Sequence, residues 1–443
     1  MFSVNLSLEL CSKENLCYNN HKTMSESSKT TAPPLRSLFR DRRFLLIWVA
    51  QMISGIGDWA LMLAIPVAVY NGTNSQVKLG LAVVAETLPA LLFGLAAGVI
   101  VDRMPRRRVM IATDLARMAV VLLLLNLRHF TLLSQSEVWL IYFVGFASAT
   151  FSCLFNPARA ALIPSILPRE KLMEANSLLS SGTRLTQILG PGFGGIILYW
   201  LHPRGLFIFD ALTFLVSAIC LIFVVEDFKQ RERLAGWAGL WEDFIEGFRV
   251  FVTHPTLGIL IGILSVATFF GGIYNALLYA FTRDILHVDG PGYGYLLSCV
   301  GFGALLSLPL LSGPFKSTPP PRLLAVGLML MAISGWALAF APNMVIGAIA
   351  MFVGGFGNMV MYLPIVTMFQ TAGPPHLMGR IMGAAVTIGA FFASASGLAA
   401  AGIVTVYPHL KTIYALIPAA FVISGLLAIS YLGRPNAGQA GVS

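Results

Sequence analysis

Six ionisable residues fall inside long apolar runs: Asp58, Glu86, Asp114, Arg117, Arg184 and Asp210, all within the first half of the chain. A charge at the centre of a membrane span costs about 2.5–3.5 kcal/mol on insertion scales, so each needs a partner or a task. A carboxyl that takes and gives up a proton in such a place can tie a conformational cycle to a proton gradient. Asp58 stands mid-run in Gly55-Ile-Gly57-Asp58-Trp59, where neither end of the run is within snorkelling reach. Glu86 stands just before Pro89. These two are the candidate proton-coupling acids, with Arg184 or Arg117 as candidate ion-pair partners. Asp114 and Arg117 lie three residues apart, a helical spacing that predicts a local pair. Asp210 is expected to be structural.

The elements that carry these residues are membrane spans. The 443 residues are 57% hydrophobic and only 11% charged, with a mean hydropathy of +0.78, a balance no soluble domain of this length shows. A span needs about 20 apolar residues, and only helices or closed barrels satisfy their backbone in lipid. Strand-length alternation is absent, so the chain is predicted to be an all-α polytopic membrane protein of twelve helices in two six-helix bundles. Spans are expected at 44–70, 79–101, 109–127, 138–157, 173–199 and 205–226, then at 256–281, 292–313, 323–341, 344–369, 380–402 and 410–432. The domains follow: a disordered tail (1–43), a first bundle (44–226), a polar central loop (227–255), a second bundle (256–432) and a short tail (433–443). A shift of 214 residues lays Gly80 over Gly294 and spans over spans, which suits two repeated bundles.

The net charge of +9 is a signal of topology rather than of nucleic acid. With both termini on one side, 22 of the 29 Lys and Arg residues fall there and five on the other, which predicts cytoplasmic termini. The five cysteines match no metal or disulfide spacing. The amino-terminal segment has no signal-peptide pattern, and Met24 is an alternative start. No phosphate-binding loop, His cluster or hydrolase triad appears, so ATP-driven transport and catalysis are not expected, nor is a metal or an organic cofactor.

Between the second and third spans runs Gly98-Val-Ile-Val-Asp102-Arg103-Met-Pro105-Arg106-Arg107-Arg108. The spacing G-x-x-x-D-R-x-x-R-R resembles the corresponding loop of the major facilitator superfamily of secondary transporters. Pro105 stands where the commonest form has Gly, a mark of its drug-, macrolide- and enterobactin-exporting branch of proton antiporters. The resemblance implies that Gly98, Asp102, Arg103, Arg106 and Arg107 form a cytoplasmic gate, with Asp102 facing the amino end of the eleventh span near Gly379-Arg380-Ile-Met-Gly383. Gly190-Pro191-Gly192-Phe-Gly194-Gly195 in the fifth span resembles the antiporter motif of exporters. Here Pro removes a helix hydrogen bond, and Gly190, Gly194 and Gly195 allow close backbone approach. The family lines its cavity with spans 1, 4, 7 and 10. That habit points to Gln51, Trp59, Phe151, Phe269 and Phe270, and to Tyr274, Asn275, Asn358 and Tyr362. The implied function is proton-driven export of a hydrophobic or amphipathic small molecule by a monomer in the bacterial inner membrane. The alternatives are a nutrient or lipid carrier and a non-transporting membrane sensor.

Overall fold

The computed structural model describes residues 36–127, 133–168, 171–226, 237–315, 317–374 and 377–432. Most of both predicted tails, at 1–35 and 433–443, lies outside them. So do the side chains of Asp102 and Arg184, two of the sequence candidates.

Every described element is helical. Residues Arg36–Phe39 form one helical turn. The first bundle contains α1 (Arg42–Thr73), α2 (Gln76–Asp102), α3 (Arg106–Leu122), α4 (Gln135–Ile166) and α5 (Leu172–Ile222). A bridging helix α6 (Trp237–Thr253) leads to α7 (Pro255–Asp284), α8 (Gly290–Ser312), α9 (Pro320–Ala339), α10 (Met344–Ala372), α11 (Met378–Val406) and α12 (Leu410–Leu427). Helix starts are marked locally. Ser134 and Glu137 close a capping box on α4, and the side chains of Asp289 and Asn343 accept first-turn N–H groups of α8 and α10.

The sequence predicts two spans where α5 runs unbroken for 51 residues. A straight helix of that length would extend about 75 Å at 1.5 Å per residue, far beyond a membrane core. It is not straight. A Cβ built on Gly190 would meet Trp59 and lie 3.1 Å from the Ile56 carbonyl, while one built on Gly57 would meet the Asp210 carboxyl. Residues 190 and 210 therefore touch the same turn of α1, and the chain doubles back between them through Pro203. Among the described residues, eleven segments, Pro203–Ile222 one of them, are long and apolar enough to span a membrane. The less apolar first arm of α5 completes twelve. The central loop, predicted only as polar, contains the amphipathic α6.

The bundles meet mainly along two helix pairs, α2 with α11 and the first arm of α5 with α8, with smaller contacts of α7 to α1 and α2. Helix direction alternates, so the chain has a basic end, holding the Asp102–Arg108 loop, and a far end. At the far end α2 and α11 are in backbone contact: a Cβ on Gly80 would lie 2.6 Å from the Gly397 carbonyl oxygen. The α5–α8 pair closes the same way, since a Cβ on Gly195 would sit 3.3 Å from Gly294 Cα. Towards the basic end, Gly94 and Gly98 of α2 and Gly379, Gly383 and Gly389 of α11 have nothing within 4 Å of a built Cβ. The bundles are joined at the far end and parted at the basic end.

Candidate functional site

Asp58, on α1, has 39% of its side chain exposed. Its ion-pair partner is Arg117 of α3, one of the two arginines the sequence put forward. The guanidinium is also covered by Phe214 on the second arm of α5, with Cζ 4.2 Å from the ring centroid. The local Asp114–Arg117 pair expected from spacing is therefore not what orders these residues. Arg117 reaches across to α1, and Asp114 turns to α5, where the Ser217 hydroxyl donates to it at 2.6 Å. Asp210 completes the group, fully enclosed on the second arm of α5. Gly57, the residue before Asp58, has no Cβ to hold Asp210 and Thr213 away from α1. That glycine was the one sequence signal that these helices converge here.

Glu86 lies on α2 beside α4, with its Cγ 3.3 Å from where a Cβ of Gly145 would be. It has no hydrogen-bond or ion-pair partner among the described residues.

The candidate antiporter motif forms a hinge of close contacts. Gly190 and Gly194 pack on Trp59 and Ala60 of α1, and Pro191 and Gly195 pack on Gly294 of α8. Trp59 is thus a packing surface for α5 as well as a neighbour of Asp58. Gln51 is buried, and its Nε2 donates to Thr183 Oγ1 at 2.7 Å, tying α1 to α5.

In the second bundle, Tyr274, Asn275 and Asn358 border one cavity of about 120 Å³, floored by Val300, Met331 and Met351. The Tyr274 hydroxyl points to Met351 Sδ at 3.6 Å, and its carbonyl accepts from the Tyr414 hydroxyl. The Asn275 amide donates to the Gly271 carbonyl at 2.7 Å, and Asn358 is exposed. Phe270 stacks edge-on with Phe269, 5.3 Å between centroids. Phe151 is half-buried on α4 and Tyr362 is 39% exposed on α10.

The basic loop is anchored within its own bundle. The backbone N–H groups of Arg106 and Arg107 donate to the Glu226 carboxylate at 3.2 and 2.9 Å. Arg107 Nε donates to the Leu221 carbonyl at 3.0 Å, so its side chain closes the carboxyl end of α5. Arg103 is exposed. The expected approach of Asp102 to the start of α11 rests on a side chain outside the described residues. Arg380, at that start, pairs with Glu246 of α6.

Two features were absent from the sequence reading. One is Glu226 as the loop's anchor. The other is a polar lock at the far end between the last turns of α1 and α7. There the Tyr70 hydroxyl donates to Asp284, and Asn71 Oδ1 accepts from the Tyr279 hydroxyl at 2.9 Å and from Arg283.

Known proteins can be set beside this geometry. A family model described as Major Facilitator Superfamily matches residues 47–397. The uncharacterized MFS-type transporter YfiS of Bacillus subtilis (strain 168) is 24% identical, covering 89% of this chain and 94% of that protein. The enterobactin exporter EntS of Shigella boydii serotype 18 is 28% identical, covering 77% of this chain and 80% of its own. Among solved structures, a nucleoside transporter, NupG, superposes with a TM-score of 0.74 at 9% identity, over 87% of this chain and 99% of that one. A bacterial homologue of the iron transporter ferroportin gives 0.66 at 15%, over 89% and 99%. These two likenesses establish the fold.

Proposed function

The chain belongs to the major facilitator superfamily, and from that membership we propose that it is a secondary carrier exporting a hydrophobic or amphipathic small molecule in exchange for protons. It is a multi-pass membrane transporter and not an enzyme. The observation that carries the mechanism is the asymmetric closure of the bundles. They are in backbone contact at Gly80–Gly397 and Gly195–Gly294, and open at Gly98 and Gly379. Such an interface has a second arrangement with the opposite end closed, and two arrangements around one interior are what alternating access requires.

The basic end is taken as cytoplasmic because 22 of 29 Lys and Arg residues gather there. The inner membrane of a bacterium fits this layout. Export is favoured by the Gly190–Gly195 motif at the α5–α8 contact and by the likeness to an exporter of enterobactin. Asp58 is the coupling acid because it alone of the acids around Arg117 is exposed, the other two being fully buried. A proton reaching it from the far side would cancel its charge and release Arg117, loosening α1 from α3 and biasing the bundles.

The cavity under Tyr274 and Asn358 fits the least polar part of the substrate. At about 120 Å³ with apolar walls it is on the scale of cavities that hold one aromatic ring. No acid or base lies inside a span of the second bundle, so the group received there is uncharged.

The deciding experiment compares accumulation of a panel of dyes and antibiotics in cells with and without the protein. Purified protein in liposomes under an imposed pH gradient then tests coupling. Lower accumulation of an amphipathic compound, abolished by collapsing the gradient, is expected. Raised accumulation would make the protein an uptake carrier, and no change in any compound would favour a sensor.

A further inference from the structure

The group around Arg117 holds more acid than its one cation can balance. The charged groups that face Asp210 are Asp58 from α1 and Asp114 and Arg117 from α3. Asp114 and Asp210 are fully enclosed, and Arg117 is nearly so. Arg117 is engaged with Asp58, and its Nε has no partner among the described residues. Asp114 has the Ser217 hydroxyl on one oxygen and nothing on the other. Among the described residues neither carboxyl oxygen of Asp210 has a well-formed hydrogen bond; the Thr213 hydroxyl is the nearby donor, and it is turned mainly to the Asp210 main-chain carbonyl at 2.7 Å.

Three ionised carboxylates there would leave two anions uncompensated out of reach of water, and a buried ion without a partner neutralises instead. A neutral carboxyl without hydrogen-bond partners still pays to be buried, but far less than an unpaired carboxylate, because it carries no charge to solvate. Asp210, with neither oxygen in a well-formed hydrogen bond among the described residues, is the acid this argument singles out.

We propose that Asp210, backed by Asp114, is a second proton-holding site behind Asp58, linked to it through Arg117. While Arg117 is paired with Asp58, Asp210 keeps its proton. When Asp58 is neutralised from the interior, Arg117 would be left as a buried cation without an anion. If the proton comes instead from Asp210, its O–H bond breaking as that of Asp58 forms, the ionised Asp210 becomes the replacement partner of Arg117, which makes protonation of Asp58 easier than it would be beside an isolated arginine. Asp210 is a positioning residue, acting on Asp58 through Arg117 and touching no substrate. Gly57 belongs to the arrangement, because any Cβ there would push the Asp210 carboxyl off α1. The part Asp210 plays in transport rests on the proton-coupled reading; its resident proton does not.

Two measurements test the pair of claims. Infrared spectroscopy of the purified protein in lipid nanodiscs at neutral pH should show a carbonyl stretch of a protonated carboxyl, shifted by deuterium exchange and missing in Asp210→Asn. That readout needs no transport and stands whether or not the carrier is proton-driven. In liposomes, Asp210→Asn should move the acid limb of the transport–pH profile to lower pH, because Asp58 becomes harder to protonate. Asp210→Glu should restore the profile. A merely structural residue would lower the rate at every pH without moving the profile. Should Asp210→Asn fail to accumulate, the same band and profile are read in Asp114→Asn. A spectrum with no protonated-carboxyl band lost in either variant overturns the resident proton. An unmoved profile at normal protein level overturns the link to Asp58.

Discussion

Gly80 and Gly397 are in backbone contact across the two bundles, each leaving no room for a Cβ on the other. Eighteen residues from each along its own helix stand Gly98 and Gly379, towards the basic end. Eighteen residues are five turns at 3.6 residues per turn, so each lies on the same helix face as its contacting counterpart. Both face open space. The α2–α11 pair therefore has two glycine contacts on one stripe, one made and one waiting.

That stripe predicts opposite locks. Gly80→Leu should prevent closure of the far end, and Gly98→Leu should leave the observed state intact while blocking closure of the basic end. Both should lose transport at normal expression. Cysteines placed at positions 98 and 379 should cross-link only when the far end opens, so adding Gly80→Leu should raise the cross-linked share, and an unchanged share would refute the two-contact stripe.

The Tyr70–Asp284 hydrogen bond holds the far end shut from the other side of the interface. Bonds to charged groups contribute about 1.5–3 kcal/mol, so Tyr70→Phe should shift the two-state balance about tenfold or more towards an open far end. Spin labels at Asn74 and His287, in the loops beyond α1 and α7, should report a larger share of long distances. An unchanged distribution would make the lock incidental.

Glu226 accepts the first two N–H groups of α3 from beyond the end of α5. Glu226→Gln keeps the shape but removes the anion from both that helix start and the arginines beside it, at about 1–2 kcal/mol. The expected outcome is a lowered unfolding temperature in detergent with substrate affinity unchanged. A large change in affinity at full stability would place Glu226 in the gate rather than in the anchor.

Filling the cavity of the second bundle tests the substrate reading. A Cβ on Gly271 meets nothing within 4 Å, so Gly271→Leu enters the space without displacing a neighbour. KM should rise several-fold for bulky aromatic substrates and least for small ones, since each buried methylene is worth about 0.8 kcal/mol. A uniform fall in kcat across sizes would mean that α7 moves badly, not that the site is occupied.

Much of the architecture was legible because membrane spans announce themselves by length and apolarity. The first arm of α5 was the weakest such signal, and its reversal shows only in contacts to α1. The site was legible as a set of depths rather than as pairs. Asp58 and Arg117 are 59 residues apart in sequence, and no spacing rule joins them. The i,i+3 rule pointed Arg117 at Asp114 instead, but a side chain that long reaches a neighbouring helix as easily as its own turn. Glu226 looked like the edge of a polar loop because its partners are backbone N–H groups, which are present everywhere and leave no mark in sequence.

Coupling is the final test. Asp58 carries the one exposed carboxyl of the cluster, and its pair with Arg117 ties α1 to α3. Asp58→Asn keeps the volume and removes the charge, fixing the residue in its protonated form. With Asp210 and Asp114 still able to balance Arg117, the protein should reach the membrane at normal levels and exchange substrate downhill. It should fail to build a substrate gradient from a pH gradient. Glu86→Gln is the parallel variant, on an acid with no described partner, and it should be the milder of the two because breaking no ion pair leaves the helix contacts of α2 unchanged. If the double variant still concentrates substrate under a pH gradient, protons do not couple through these acids, and the mechanism must be sought in Asp114 and Asp210 alone or in a carrier without a titrating side chain.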